Sequence, residues 1–227
     1  MQLILNNIFM ILQLSHFIEP ATLDVLCEDV SKLDFNSGQQ TAGHAVRSLK
    51  NNEQIILDNE KPAALAMLLK QLQQNSLFQA ACLPRQFARV MLNRYQEGMQ
   101  YGDHVDDAFI AGVRTDVSFT LCLTSKDSYE GGELVLCDSS GERSWKLDKG
   151  EALVYPSTYL HRVNPVSGGT RTAMVGWLQS KVRHPHQREI LFELKQSSTH
   201  EFNTQGKSEQ YDRLSKSYSN LLRQWAD

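Results

Sequence analysis

The sequence is short of several things, and each shortage excludes something. Four cysteines occur in 227 residues, Cys27, Cys82, Cys122 and Cys137, and no two form a C-x-x-C pair. That argues against a zinc or dithiol site and leaves free thiols in a reducing compartment. Lys and Arg number 23 against 26 Asp and Glu, for a net charge of −3 and a pI near 6.2. With no basic patch, nucleic acid is not an expected partner. No run of about 18 apolar residues offers a membrane span. The stretch 1–18 is apolar, but it begins without Lys or Arg. Asn6, Asn7, Gln13, Ser15 and His16 interrupt it, and Glu19-Pro20 stands where a signal peptide would carry small residues. The expected location is the cytoplasm. Met1–Phe9 has no obvious partner, and Met10 is an alternative start. No internal repeat or low-complexity tract is present.

What remains is a chain long enough to bury a sizeable core. Three regions are expected: an N-terminal strand and helices over 1–85, an all-β core over 86–180 and a helical extension over 181–227. Leu23, Leu26, Val30 and Leu33 recur at helical steps after Pro20. Leu65, Leu68, Leu69 and Leu72 do the same over 62–75. Asp34–Glu53 is polar and reads as loop with a short strand at 45–47, and Asn51–Ile56 is expected to enter a helix. From Gln86 the period changes. Phe87–Tyr95, Met99–Asp106, Thr115–Leu123, Glu133–Cys137, Arg143–Leu147, Gly150–Tyr155, Leu160–Val166 and Thr170–Leu178 read as strands, with a loop at 107–113. About eight short strands with regular turns predict an α+β protein with a closed or double-sheet core such as a jelly roll. Val182–Gln196 and Lys207–Ala226 read as helices joined by a polar linker over 197–206. The last one packs on this chain or on a second copy, so a homo-oligomer is a candidate state.

Four side chains in the β region stand out: His104, Asp106, His161 and Arg171. On an extended strand His104 and Asp106, two apart, face one way. His161 follows after several strands. The three form a candidate 2-His-1-carboxylate metal site, an arrangement that leaves coordination positions open and suits non-haem Fe(II) oxygenases. Arg171 lies ten residues on, across a Pro/Ser/Gly/Gly turn that would return it beside the metal. It shares a strand face with Ala173, Val175 and Trp177, taken as the inner one. A buried Arg needs an anion, and a ligand carboxylate is a candidate. His-x-Asp by itself is a weak motif, so the surrounding residues have to carry the assignment.

Those residues form an ordered set. Asn93-Arg94-Tyr95, Gly98-Met99, Tyr101-Gly102, His104-Val105-Asp106, Arg114-Thr115-Asp116, Tyr129-Glu130-Gly131-Gly132-Glu133-Leu134, Tyr155-Pro156, Leu160-His161-Arg162-Val163 and Arg171 occur in that sequence. The set resembles the PKHD-type hydroxylases, Fe(II)/2-oxoglutarate-dependent oxygenases related to prolyl 4-hydroxylases. The likeness runs from about Met10 through Trp177-Leu178-Gln179-Ser180 and the 188–194 helix. It implies a double-stranded β-helix core, with His104, Asp106 and His161 as iron ligands and catalytic centre. It also implies that Arg171 holds the distal carboxylate of 2-oxoglutarate and that Tyr95 lies near that cosubstrate. The implied reaction hydroxylates a peptidyl or amino-acid-like substrate while 2-oxoglutarate gives succinate and CO2, with ascorbate an optional reductant.

Two other classes fit part of this pattern. A cupin-like protein would bind metal or a small molecule without turnover. An interaction module on an inactive oxygenase fold would bind iron weakly, which the intact ligand set opposes. His184 and His186 lack a third ligand nearby and read as surface. Asp103 and Asp107 orient neighbouring groups or are solvated, and Arg114 and Asp116 pair with each other or face substrate.

Overall fold

The computed structural model describes residues 11–38, 49–56 and 62–227. Near the start, β1 (Leu12–Leu14) joins the larger sheet, and Pro20 opens α1 (Pro20–Ser31), where its missing N–H costs nothing. Glu19 caps that helix by accepting from the Thr22 amide at 2.8 Å. Two further helices, α2 (Ala63–Gln74) and α3 (Ser76–Cys82), follow β2 (Asn36–Ser37), β3 (Lys50–Asn51) and β4 (Glu53–Ile56). Asn75 separates α2 from α3 and caps the second by accepting from the Phe78 amide at 2.9 Å.

The core is two facing antiparallel sheets. Strands β5 (Pro84–Gln96), β6 (Gln100–His104), β9 (Val117–Cys122), β10 (Tyr129–Gly131), β11 (Leu134–Asp138), β12 (Gly141–Trp145), β13 (Ala152–Pro156), β14 (Leu160–Val163) and β15 (Val166–Ser180) supply most of it, while β7 (Phe109–Ile110) and β8 (Val113–Arg114) form a separate two-stranded sheet. The larger sheet runs β1-β13-β9-β15-β5-β4-β2, with β10 also paired to β15; the smaller runs β12-β11-β14-β6-β3. This is the expected jelly roll in an α+β chain.

Period-2 alternation sorts the side chains. On β9, Val117, Phe119 and Leu121 point outward with Leu92, Met174 and Leu178 against Leu65, Leu68, Leu72 and Phe78 of α2 and α3. Helices thus cover the outer face, and β9 is buried on both sides although its sequence alternates. Each such leucine contributes roughly 1.5–3 kcal/mol of burial. The inward residues Tyr95, Cys122, Leu153 and Tyr155 pack on Leu134, Leu136 and Val163 of the smaller sheet.

Several expectations are corrected. Asn51–Ile56 is not helical, because Glu53–Ile56 pairs antiparallel with β5 from Arg94 to Met91 and its amides are used in that ladder. The 107–113 loop contains a hairpin, β7–β8, turned by Ala111 and Gly112, both at positive φ. The polar stretch 197–206 is no linker. Helix α4 (Pro185–Gln205) continues through it and stops at Gly206, before α5 (Glu209–Trp225). Tyr218, Leu221, Leu222 and Trp225 of α5 pack on Leu83, Val182 and Leu191. The strand expected at 45–47 lies outside the described residues, as do Met1–Phe9 and Met10.

Candidate active site

The register of the smaller sheet builds the centre. His161 on β14 stands directly opposite His104 on β6, and their ring centroids are 4.2 Å apart. Asp106 follows β6 rather than lying on it, two residues beyond His104, with its carboxylate on the side of the two imidazoles. Asp106 Oδ1 is 4.0 Å from His104 Nε2 and 3.7 Å from His161 Nε2. The three ligand-type atoms all lie within 4.8 Å of one another.

Each histidine is oriented from behind. Nδ1 of His104 is 2.8 Å from the Gly102 carbonyl, and Nδ1 of His161 is 2.9 Å from the Tyr159 carbonyl. A carbonyl only accepts, so both Nδ1 atoms carry the proton and both Nε2 lone pairs face Asp106. Burial, reinforced by the neighbouring His161, holds the His104 pKa well below its ordinary value. Two lone pairs and a carboxylate converging without a proton between them repel, and a cation resolves that repulsion. The donor set therefore fits a divalent metal, with His104, Asp106 and His161 able to hold it.

Asp106 is fixed through its other oxygen. Ser118 Oγ donates to Oδ2 at 2.6 Å and lies 2.7 Å from Ser157 Oγ. Tyr101 stacks on His104 at 3.6 Å between centroids, and Tyr155 meets His161 edge-on at 5.4 Å. Burial raises the pKa of Tyr101 and Tyr155 and pushes Tyr95 to about 12, so all three are neutral hydroxyls near pH 7.

Arg171 is 3% exposed, paired across strands with Tyr95, its guanidinium 5.5 Å from that ring. The Tyr129 hydroxyl sits beside it. Among the described residues no Asp or Glu pairs with Arg171, so a buried cation faces the cavity without a carboxylate of its own. The Gly131-Gly132 turn makes room: both residues have positive φ, and a Cβ at Gly132 would stand 3.1 Å from Arg171 Cδ. One cavity of about 280 Å³ is lined by His104, Asp106, His161, Arg171 and Tyr95 together.

Other candidates fall elsewhere. Arg114 pairs with Asp116 at 2.8 and 3.0 Å rather than facing a ligand. Asp103 is exposed and 3.4 Å from Arg162. His184 and His186 neighbour each other at 5.6 Å, and among the described residues no third ligand joins them. Sequence reasoning missed Ser118 and Ser157. The signal for Ser118 was present, since it is a polar residue on the inward parity of β9. Lys50, Arg89 and Asn93 also line the cavity. Lys50 borders the segment misread as helix, and nothing in the sequence distinguished Arg89.

Residues 90–179, the strands that carry this cavity, match the 2OG-Fe(II) oxygenase superfamily, and residues 186–227 match the PKHD-type hydroxylase C-terminal domain. A PKHD-type hydroxylase of Idiomarina loihiensis is 50% identical over 96% of this chain and 100% of the relative. The chain belongs to the PKHD-type hydroxylase family. Another family member, from Acaryochloris marina, is 43% identical over 96% of this chain and 100% of its own length. Among solved structures, a Pseudomonas putida prolyl-4-hydroxylase is similar at a TM-score of 0.59 and 21% identity, covering 75% of this chain and 92% of that one. A Trichoplax adhaerens prolyl hydroxylase in complex with a hypoxia inducible factor peptide fragment has a TM-score of 0.59 at 13% identity, covering 82% and 88%. At these identities the structural likeness concerns the fold. As a PKHD-type hydroxylase the protein is an Fe(II)/2-oxoglutarate-dependent enzyme. Among the described residues no helix is long and apolar enough to cross a membrane.

Proposed function

We propose that the protein hydroxylates a peptidyl or amino-acid-like substrate while decarboxylating 2-oxoglutarate to succinate and CO2. The supporting observation is the joint placement of two Nε2 lone pairs, one carboxylate and an uncompensated buried guanidinium in a single cavity. Iron, when bound with the cosubstrate, supplies dioxygen activation and the oxidant for C–H cleavage.

The chain's own residues do the positioning. His104, Asp106 and His161 would hold the metal, and as three ligands they would leave it positions for the cosubstrate and dioxygen. Arg171 receives the distal carboxylate through parallel N–H donors, and Tyr129 and Tyr95 wall that end. Ser118 keeps Asp106 turned toward the metal. Tyr101 and Tyr155 shield the two imidazoles from water. Peptidyl or amino-acid-like chemistry is supported by the fold shared with prolyl hydroxylases, since the cavity flank beyond the triad is where specificity resides.

The test is succinate production by protein loaded with Fe(II) and 2-oxoglutarate, with and without oxygen. Succinate that requires iron, oxygen, His161 and Arg171 is expected, with His161→Ala and Arg171→Ala as controls. Folded, iron-loaded protein that neither forms succinate nor binds 2-oxoglutarate anaerobically would leave a metal-binding protein without turnover.

A further inference from the structure

We propose that Asn93 reads an amide on the substrate, either one residue of an extended peptide or a primary carboxamide, and so sets specificity on the β5 flank of the cavity. The proposal rests on the oxygenase reading and names the chemistry its substrate must present.

Asn93 stands on β5 between Met91 and Tyr95. Two-residue steps turn all three to one face, and all three line the cavity that holds the triad and Arg171. Its cross-strand neighbours are Ala173 on β15 and Gln54 on β4. Ala173 is too small to cover it, and Gln54 Oε1 accepts from Lys50 at 3.0 Å. Asn93 is 7% exposed, and its Oδ1 is buried with no donor among the described residues. An unmet buried acceptor destabilises a fold, and an apolar side chain of similar size would avoid that cost. A polar group kept in such a place points to a ligand.

The cosubstrate is not that ligand. Strands β9, β15 and β5 are consecutive in the larger sheet. Ser118 on β9 holds Asp106, and Arg171 is on β15. Asn93 on β5 is two strand spacings from β9, roughly 10 Å across the sheet. A diacid running from the triad to Arg171 lies over β9 and β15 and leaves the β5 flank to the substrate. Its carboxylate and keto oxygens also only accept, so it cannot supply the donor that Oδ1 lacks.

A carboxamide offers an acceptor and a donor on neighbouring atoms, and its soft terminal torsion lets the amide plane turn toward a partner. The complement is a second amide. In an extended chain the N–H and C=O of one residue point the same way, and a primary carboxamide presents both along one edge. A carboxylate only accepts and an ammonium only donates, so neither meets both atoms.

The experiment uses the full chain, anaerobic, with Fe(II) and saturating 2-oxoglutarate. Two matched pairs of probes are titrated, read by tryptophan emission and ligand-observed NMR. N-acetylglycine N-methylamide is set against N-acetylsarcosine N-methylamide, which lacks the central N–H. Acetamide is set against N,N-dimethylacetamide. In at least one pair the N–H probe is expected to bind about fivefold or more tighter, and that pair identifies the source of the amide. In Asn93→Leu the ratio is expected to fall to within about twofold. Half-saturation by 2-oxoglutarate is expected to stay unchanged, and the metal-free variant to melt at or above the parent, because an unmet acceptor has been deleted. Asn93→Ala, the smaller replacement, is expected to lose the same preference. No preference in either pair, including no saturable binding of any probe, would overturn the proposal. So would a preference that survives in both variants, or a variant that loses 2-oxoglutarate instead. If the parent fails to bind 2-oxoglutarate while the amide preference still depends on Asn93, the oxygenase reading falls and the amide site stands.

Discussion

Ser118→Ala is the most informative single substitution, because it removes one buried atom whose hydrogen bond goes directly to Asp106. Ser118 is 2% exposed, and its hydroxyl donates to Asp106 Oδ2 at 2.6 Å while sharing a bond with Ser157. A hydrogen bond to an ionised acceptor is worth about 1.5–3 kcal/mol. Alanine leaves a buried carboxylate oxygen unsatisfied and free to rotate away from the two imidazoles. Loss of such an orienting partner weakens metal binding about 10–100-fold, or about 1.4–2.7 kcal/mol, which agrees with the bond's own worth. The assay is anaerobic Fe(II) titration followed by half-saturation. Ser157→Ala is the internal control: Ser118 keeps its donation to Asp106, so the shift should stay within about threefold. Metal-free Ser118→Ala should melt about 3–12 °C below the parent, since the same 1.5–3 kcal/mol is at stake in the apo fold. Unchanged Fe(II) half-saturation in Ser118→Ala, or equal losses in both variants, would refute the assignment of Ser118 as the group that aims Asp106.

Other outcomes follow from the same geometry. Arg171→Met should raise half-saturation by 2-oxoglutarate at least about 30-fold, the result of deleting one partner of a buried charge pair, with little change in Fe(II) binding measured alone. Gly132→Ala places a side chain at a left-handed φ of +68° and 3.1 Å from Arg171 Cδ. Its backbone strain of about 1–2 kcal/mol should lower Tm a few degrees, and KM for 2-oxoglutarate should rise severalfold beyond that. Leu68→Ala empties a fully buried position under the larger sheet. It should cost about 2–5 kcal/mol, read as a lower urea midpoint with kcat of the remaining folded enzyme preserved. Because burial and His161 depress the folded His104 pKa, the unfolded chain takes up its proton first as pH falls. Metal-free protein should therefore lose stability from about pH 6.5 downward. Denaturant midpoints measured from pH 8 to 5 check the sign, and a midpoint that rises on acidification contradicts it.

Much of the site was legible in the sequence because its parts fall on strands whose parity is easy to read. His161 and Arg171 sit within runs of alternating residues, but the chain turns between them at Asn164-Pro165, and Ser167, Gly168 and Gly169, expected as part of the turn, lie in β15, where Gly168 and Gly169 pair with β10. Asp106 was singled out by spacing, and it lies just past the end of β6 rather than within the strand. Local periodicity failed where partners are distant. Glu53–Ile56 takes strand form from hydrogen bonds to β5, about 40 residues away, which no local pattern announces. The stretch 197–205 is polar apart from Phe202, which meets Tyr211 of α5, and its helicity comes from continuity with α4 and contact with α5 rather than from an apolar stripe. That Lys50 and Arg89 line one cavity has the same origin, since they stand on strands of separate sheets that face each other.

The long strand β15 binds these parts into one instrument. Residues 170–180 pair with β5 along one edge and 173–178 with β9 along the other, while the first residues pair with β10, so the strand cannot slide without breaking these ladders. Arg171 is set near one end and Trp177 near the other, with Ser180 tied beyond it to Asp116 at 2.9 Å. The separation between Arg171 and Trp177 is therefore a fixed gauge. The neighbouring hairpin β7–β8 has no such constraint, and residues such as Phe109 at its exposed rim can be exchanged without moving that gauge. A lineage, or an engineer, can retune what enters this enzyme by rewriting the rim and leave its oxidative machinery calibrated.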